Sequence, residues 1–303
     1  MGGFLRGNTS ARLRPGVTEI LLCTLAWGTI GPLAKQLTLP SRVIVFFRLA
    51  LGFVVVFGWL AARGELALVK PRARARLLIT SGVVLAVHWA ALFEAYRRLS
   101  VTTTILIVFL GPVLMAVAAP RVLGEHLRAR SIVALVVAFG GIVLIAGPRI
   151  AEVDGVGLVF AFVSAALFAV LMLMGKFFIV QYEPVAITFW QLGIAAIVMS
   201  PGLVGARADQ IMHAAPGLLL LGGVFSGALG IVFFRAMRAL QAQELGVLFY
   251  LEPTAAVLYS WLLLAERPSA TTLAGGGLII AAGLGIILGD RRSPVTARPE
   301  ARP

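Results

Sequence analysis

Glu252 lies about nine residues into a long apolar run, which at about 1.5 Å per residue puts it roughly 14 Å below the start of a helix and near the middle of a bilayer. A carboxylate at that depth costs several kcal/mol unless it is protonated, paired or wet, so the residue is a functional candidate, as proton carrier or as partner for a substrate amine; the bland alternative is a structural bond to a neighbouring helix. Arg48 stands inside the outer end of another apolar run. Three roles are open to it: snorkelling outward, binding a substrate carboxylate, or pairing with Glu252. His88, beside Trp89 in the outer half of a third run, is either a hydrogen-bonding residue or a proton relay. Trp27, Trp190, Gln191, Phe249 and Tyr250 complete a candidate substrate-binding set as an aromatic, weakly polar lining. Glu94 precedes Arg97 and Arg98 at the spacing of a local ion pair, and Lys35 and Lys176 read as anchors of helix ends at opposite interfaces.

Other chemistry is poorly supplied. His88, His126 and His213 fall in separate segments with no metal-ligand spacing, and the single cysteine, Cys23, has no neighbouring base. Gly175-Lys176 lacks the remaining residues of a phosphate loop, and no dinucleotide fingerprint occurs. The expectation is therefore no metal, no cofactor and no catalytic residue. A membrane-embedded enzyme acting on lipid-linked substrates, or a non-transporting membrane subunit, is the alternative class; the former would need clustered acidic, His or Lys groups near one interface, and the scattered Glu94, Glu152, Asp154 and Glu183 do not supply them.

The elements that must position these residues are apolar helices. Of 303 residues 60% are hydrophobic and only 13% charged, far from the roughly 25% charged of soluble domains. Apolar runs broken at charges, Pro and Gly predict spans near 17–37, 41–62, 75–96, 101–120 and 130–147, then 155–177, 185–204, 214–236, 243–264 and 270–289. With the N-terminus inside, 18 of the 26 Lys and Arg fall on the inner side, 7 on the outer side and Arg48 within a span. This asymmetry orients the chain with both termini, 1–16 and 290–303, as cytoplasmic tails. It also accounts for the net charge of +13 without nucleic acid. The first span has no small-residue cleavage site and reads as retained.

Sliding the chain by 141 positions superposes its halves. Gly82-Val83 falls on Gly223-Val224, Phe93, Ala95, Arg97 and Leu99 on Phe234, Ala236, Arg238 and Leu240, Pro112 on Pro253, and Leu123 and Glu125 on Leu264 and Glu266. Slippage of one or two residues aligns Arg48 with Gln191. Two five-span halves, 17–147 and 155–289, must enter the membrane in opposite directions because five is odd. The fold class is thus an all-α membrane protein of ten helices in two inverted repeats, the architecture that permits alternating access to a site between the halves. Pro112 and Pro253 interrupt spans 4 and 9 at equivalent positions and, with Gly28, Gly31 and Pro32 in span 1, are candidate hinges. Gly223/Gly227 and Gly285/Gly289 have the spacing of close helix contacts.

Leu25-Ala26-Trp27-Gly28, Phe46-Phe47-Arg48, Leu251-Glu252-Pro253 and the repeated Leu123-Gly124-Glu125 and Leu264-Ala265-Glu266 give the chain a resemblance, over about 17–289, to the EamA-type ten-helix branch of the drug/metabolite transporter superfamily. The second half has no Trp at the position matching Trp27. The resemblance implies a carrier in the bacterial inner membrane, often an exporter of amino acids or related metabolites, with a central cavity lined by spans 1–4 and 6–9. Members also handle sugars, nucleotide derivatives and toxic cations. In this reading Glu125 and Glu266 are structural, pairing with loop amides or Arg. The partners expected are a small-molecule substrate and the lipid bilayer, with a homodimer left open, and a proton gradient as the driving force.

Overall fold

A computed structural model describes residues 14–30, 33, 36–70, 75–99, 101–126, 128–146, 154–264 and 268–289. Pro32, Lys35, Glu266 and the terminal residues 1–13 and 290–303 lie outside them. The described residues are helical and form ten passes. Spans 1, 2 and 3 comprise Val17–Trp27 and its continuation past a turn at Gly28 and Thr29, Ser41–Ala62, and Ala75–Arg98. Span 4 is split into Val101–Val108 and Leu110–Leu123, and span 5 is Ala129–Ala146. The second half repeats the pattern with Gly155–Phe178, Pro184–Met199, a long span 8 from Ala208 to Ala239, a split span 9 of Ala242–Phe249 and Leu251–Leu264, and span 10, Ala270–Gly289.

The two splits have one cause. Proline lacks an amide hydrogen and its ring clashes with the carbonyl four residues earlier, so each helix is interrupted just before Pro112 and Pro253 and restarts with the proline in its first turn, where no amide is needed. The interruptions fall at Phe109 and Tyr250, separated by the same 141 positions as the prolines. They touch: the Tyr250 hydroxyl donates to the Phe109 carbonyl at 2.6 Å, and the rings lie 5.6 Å apart. The pseudo-two-fold between the halves thus runs through a pair of equivalent breaks. In span 1, Gly28 allows a comparable approach, because a methyl group there would come within 2.7 Å of the Ala255 Cβ, one turn beyond Glu252.

Span 8 departs from its mate. Residues Leu220–Ala228 form a π-helix, a wide turn that is rare and concentrates at functional sites. Gly222 and Gly227 permit it to lie against span 2: a Cβ on Gly222 would meet the carbonyls of Phe47 and Arg48 at 3.0 and 3.1 Å, and one on Gly227 the carbonyl of Gly52 at 3.0 Å.

Spans 5 and 10 pack on one another. Their closest approach is at Gly141 and Gly275, where a Cβ on either would collide with the other's carbonyl oxygen. Of the two small-residue pairs expected to mark contacts, Gly223/Gly227 does pack on span 2, whereas no atom of the described residues lies within 4 Å of a Cβ placed on Gly285. Helix spacing in the bilayer follows from which glycines meet backbone, and motif spacing alone does not identify them.

On the face opposite the N-terminal segment, Asp154 caps span 6 by accepting from the Val156 amide at 2.9 Å, and it receives the Arg98 guanidinium of span 3 at 3.1 Å. Arg98 also shares Glu94 with Arg97. The Arg98 guanidinium and the Val156 amide hold the Asp154 carboxyl below its ordinary pKa. A depressed carboxylate pKa contributes stability that is present above about pH 4 and lost as pH falls further. The thermal stability of Asp154→Asn should therefore lie below that of the wild type at pH 7 and approach it on acidification; a pH-independent difference would contradict this. Gly275→Leu should lower stability by about 1–3 kcal/mol through overpacking, read as a reduced melting temperature in detergent, and an unchanged melting temperature would contradict the contact.

Candidate functional site

Span 2 carries Arg48 into the interior, where only 7% of the residue remains exposed, so it does not snorkel to the surface. Its Nε donates to Ser226 Oγ at 2.9 Å, and its guanidinium carbon sits 3.9 Å above the Trp89 ring. Ser226 belongs to the π-helix and donates in turn to the carbonyl of Leu221, five residues earlier. The wide turn therefore presents the hydroxyl to Arg48 while one of its own carbonyls is satisfied. The two terminal nitrogens of Arg48 make no hydrogen bond to the described residues. Glu252, in the first turn after the Tyr250 break, is half-buried and likewise makes no hydrogen bond or ion pair there. The first half thus contributes a cation and the second a carboxylate, with no ion pair between them among the described residues.

An aromatic wall connects span 3 to spans 1, 6, 8 and 9. Trp89 lies against His88, His88 stacks on Phe168 at 5.5 Å, Phe168 meets Phe249 at 5.5 Å, and Phe249 meets Trp27 at 5.8 Å and Phe233 at 5.6 Å. Phe168 occupies the position 141 residues after Trp27, so the missing second tryptophan is replaced by another ring against the same Phe249. The Trp27 indole donates to the Phe225 carbonyl at 3.0 Å, satisfying another carbonyl of the π-helix. His88 is buried and its Nδ1 meets both the carbonyl and the hydroxyl of Ser164, at 3.0 and 3.1 Å. Of the two roles considered for it, the hydrogen-bonding one is what the structure displays.

Three of the candidate lining residues are elsewhere. Tyr250 is fully buried and spent on Phe109. Gln191 is buried and donates to Ser81 at 3.3 Å. Trp190 donates to the Val69 carbonyl at 2.9 Å and lines a lateral groove with Phe46 and Phe53. Sequence reasoning passed over Ser226, Ser164 and Phe168. The available signal was a lone serine within an otherwise apolar span, twice, once flanked by glycines.

At the N-terminal face charges are exchanged between the halves. Glu125 of the first half accepts from the Ala242 amide at 2.8 Å and pairs with Lys176 of the second at 3.5 Å, while Lys176 also donates to the Leu240 carbonyl. Glu244 of the second half, 2% exposed at its side chain, pairs with Arg14 and Arg128 of the first at 3.5 and 3.7 Å and caps Gln241. Gln243 bonds the His126 carbonyl and the Arg128 amide. Lys176 is thus a cross-link, not an interfacial anchor, because burial beside the Glu125 carboxylate and the Leu240 carbonyl outweighs the reach to headgroups. Glu125 serves the loop-amide role expected of it.

This geometry coincides with a family assignment. The model of the EamA-like transporter family matches residues 14–147 and 155–288. The chain belongs to that family. It is 27% identical over 300 residues to an uncharacterized transporter, YxxF, of Bacillus subtilis, covering 96% of this chain and 95% of that protein. It is 26% identical over 285 residues to the pseudopaline exporter CntI of Pseudomonas aeruginosa, covering 89% and 95%, and 24% identical over 281 residues to an S-adenosylmethionine uptake transporter of Rickettsia bellii, covering 92% and 95%. A crystal structure superposes with a TM-score of 0.78 at 18% identity, over 92% of this chain and 99% of the other, and shares the fold. The chain is a multi-pass membrane transporter and not an enzyme.

If the cross-links act as a unit, Lys176→Met and Glu125→Gln should each cost about 1–3 kcal/mol, and the double variant clearly less than their sum. Thermal unfolding of the four proteins of this cycle checks it; strictly additive losses would show that the two groups act independently.

Proposed function

We propose that this transporter moves a small zwitterionic metabolite, an amino acid or a relative of one, by alternating access between its two halves, with efflux as the working direction and protons as the coupling ion. The observation that carries the reading is the pair Arg48 and Glu252. Arg48 offers two terminal nitrogens in the geometry that takes a carboxylate, and Glu252 offers an acceptor for an ammonium group. A ligand that bridges them would neutralise both charges at once in a low-dielectric interior, where each is costly alone. The aromatic wall from Trp89 to Trp27 supplies an apolar side for the remainder of the molecule. Among the relatives, S-adenosylmethionine has both an amino and a carboxylate group, and the pseudopaline exporter supports the outward direction.

Because the two charges come from different halves, each half holds one end of the ligand, and a relative movement of the halves can pass it across. The pivot is the contact of Phe109 with Tyr250, and the charged cross-links close the N-terminal face in the state described. The basic-residue asymmetry supports a cytoplasmic position for that face in a bacterial inner membrane. Glu252 has no hydrogen bond or ion pair among the described residues, so it is free to exchange a proton as the ligand leaves.

Purified protein in liposomes should exchange labelled amino acids or amino-acid derivatives in counterflow and respond to a pH gradient. Arg48→Gln and Glu252→Gln should each lower that flux by about 10- to 100-fold, the worth of one charge-assisted hydrogen bond, with unchanged helical content and elution. Wild-type flux in both variants would refute the site; flux without a response to the pH gradient would refute proton coupling.

A further inference from the structure

Away from the site just described, a lateral cleft of about 700 Å³ opens between spans 2, 7 and 8 toward the N-terminal face. Its walls are apolar, with Val55, Leu68, Val185 and Ile231 among them, and Trp59 at its rim is 42% exposed. Four charged groups line it, and three of them are accounted for. Glu65 is held by Arg63 at 2.9 Å. Glu183 is held by Arg238 at 3.3 Å, and Arg238 also donates to the carbonyls of Ile179 and Tyr182 at 3.2 and 2.9 Å. The fourth, Arg235, is exposed and has no hydrogen bond or ion pair among the described residues. Its spacing puts it one turn beyond Ile231 and one turn before the end of span 8, at the depth where a span meets the headgroups.

We propose that this cleft is a binding site for an anionic phospholipid of the adjoining leaflet, its acyl chains on the apolar wall and its phosphate on Arg235. The charge arrangement selects the lipid class. Both carboxylates of the cleft already have a guanidinium, so the cleft presents one uncompensated positive charge to its occupant. A phosphatidylglycerol headgroup has the complementary single negative charge. A phosphatidylcholine headgroup would bring its own cation beside Arg235, and a water-soluble anion would leave the apolar wall unused. Trp59 at the rim is the residue type that favours the headgroup level. The inference does not depend on Arg48 or Glu252.

The test uses the full chain purified in mild detergent and supplied with phosphatidylglycerol, phosphatidylcholine or inorganic phosphate, read by thermal unfolding and by native mass spectrometry. Phosphatidylglycerol should raise the melting temperature and persist as a bound lipid, whereas the other two should do neither. Arg235→Gln should lower phosphatidylglycerol retention roughly tenfold, the expectation for losing one charge-assisted contact. Val55→Trp, which fills the cleft, should lower retention with Arg235 intact, its folding checked by helical content and elution. Equal effects of both lipids, a wild-type response in Arg235→Gln, or reproduction of the effect by inorganic phosphate would overturn the proposal. So would light scattering that shows a dimer dissociated by Val55→Trp, since the cleft would then be a protein interface.

Discussion

Inside hydrocarbon a broken helix finds no water for its freed backbone groups, so a break survives only where the protein itself supplies the partner. At the break in span 4 that partner comes from the equivalent break in span 9. The Tyr250 hydroxyl takes the Phe109 carbonyl, the rings lie together, and both residues stand three positions before a proline. Because these positions are equivalent in the two repeats, the contact fixes how the halves are apposed. Part of the proposed site is placed relative to it: Glu252 follows Tyr250 by two residues, and Phe249 precedes it and joins the aromatic wall.

The same rule governs the π-helix. Widening span 8 frees carbonyls that a membrane cannot solvate, and two of them are met from within, Phe225 by the Trp27 indole and Leu221 by Ser226. Ser226 then has its oxygen left for Arg48. A stabilising device for irregular backbone is therefore also the support that orients the interior cation. Irregular backbone, a guanidinium and a carboxylate are each unfavourable in this environment, and they occur together where the two halves meet, which is how a membrane protein concentrates polarity at a site of transport.

Much of this was legible from residue types. The apolar runs located the ten spans, because hydrocarbon thickness sets a helix length that few other structures share. The offset of 141 located the inverted repeat, and the prolines located the breaks to within three residues, since proline acts on the turn before it. Arg48, His88 and Glu252 stood out because charge and polarity are scarce in such a sequence. Trp190, Gln191 and Tyr250 were grouped with them only by type and depth, and neither says which partner an interior polar group takes: Val69, Ser81 and Phe109 respectively. The π-helix was not legible for a related reason: glycines and a lone serine suit close packing equally well, and only the contact of Gly222 and Gly227 with the backbone of span 2 decides between a regular and a widened turn. The assignment of Lys176 as an anchor failed because its partner, Glu125, is 51 residues away in sequence and belongs to the other half.

The central claim is that the terminal nitrogens of Arg48 and the carboxylate of Glu252, brought from opposite halves and without hydrogen bonds among the described residues, hold the two ends of one zwitterion. A structure in lipid nanodiscs with an amino-acid substrate identified by counterflow tests it most directly. The account predicts the ligand carboxylate within about 3 Å of the terminal nitrogens of Arg48 and the ammonium group against Glu252. A ligand bound away from both residues, or Arg48 and Glu252 closed directly on one another in the loaded state, would contradict it.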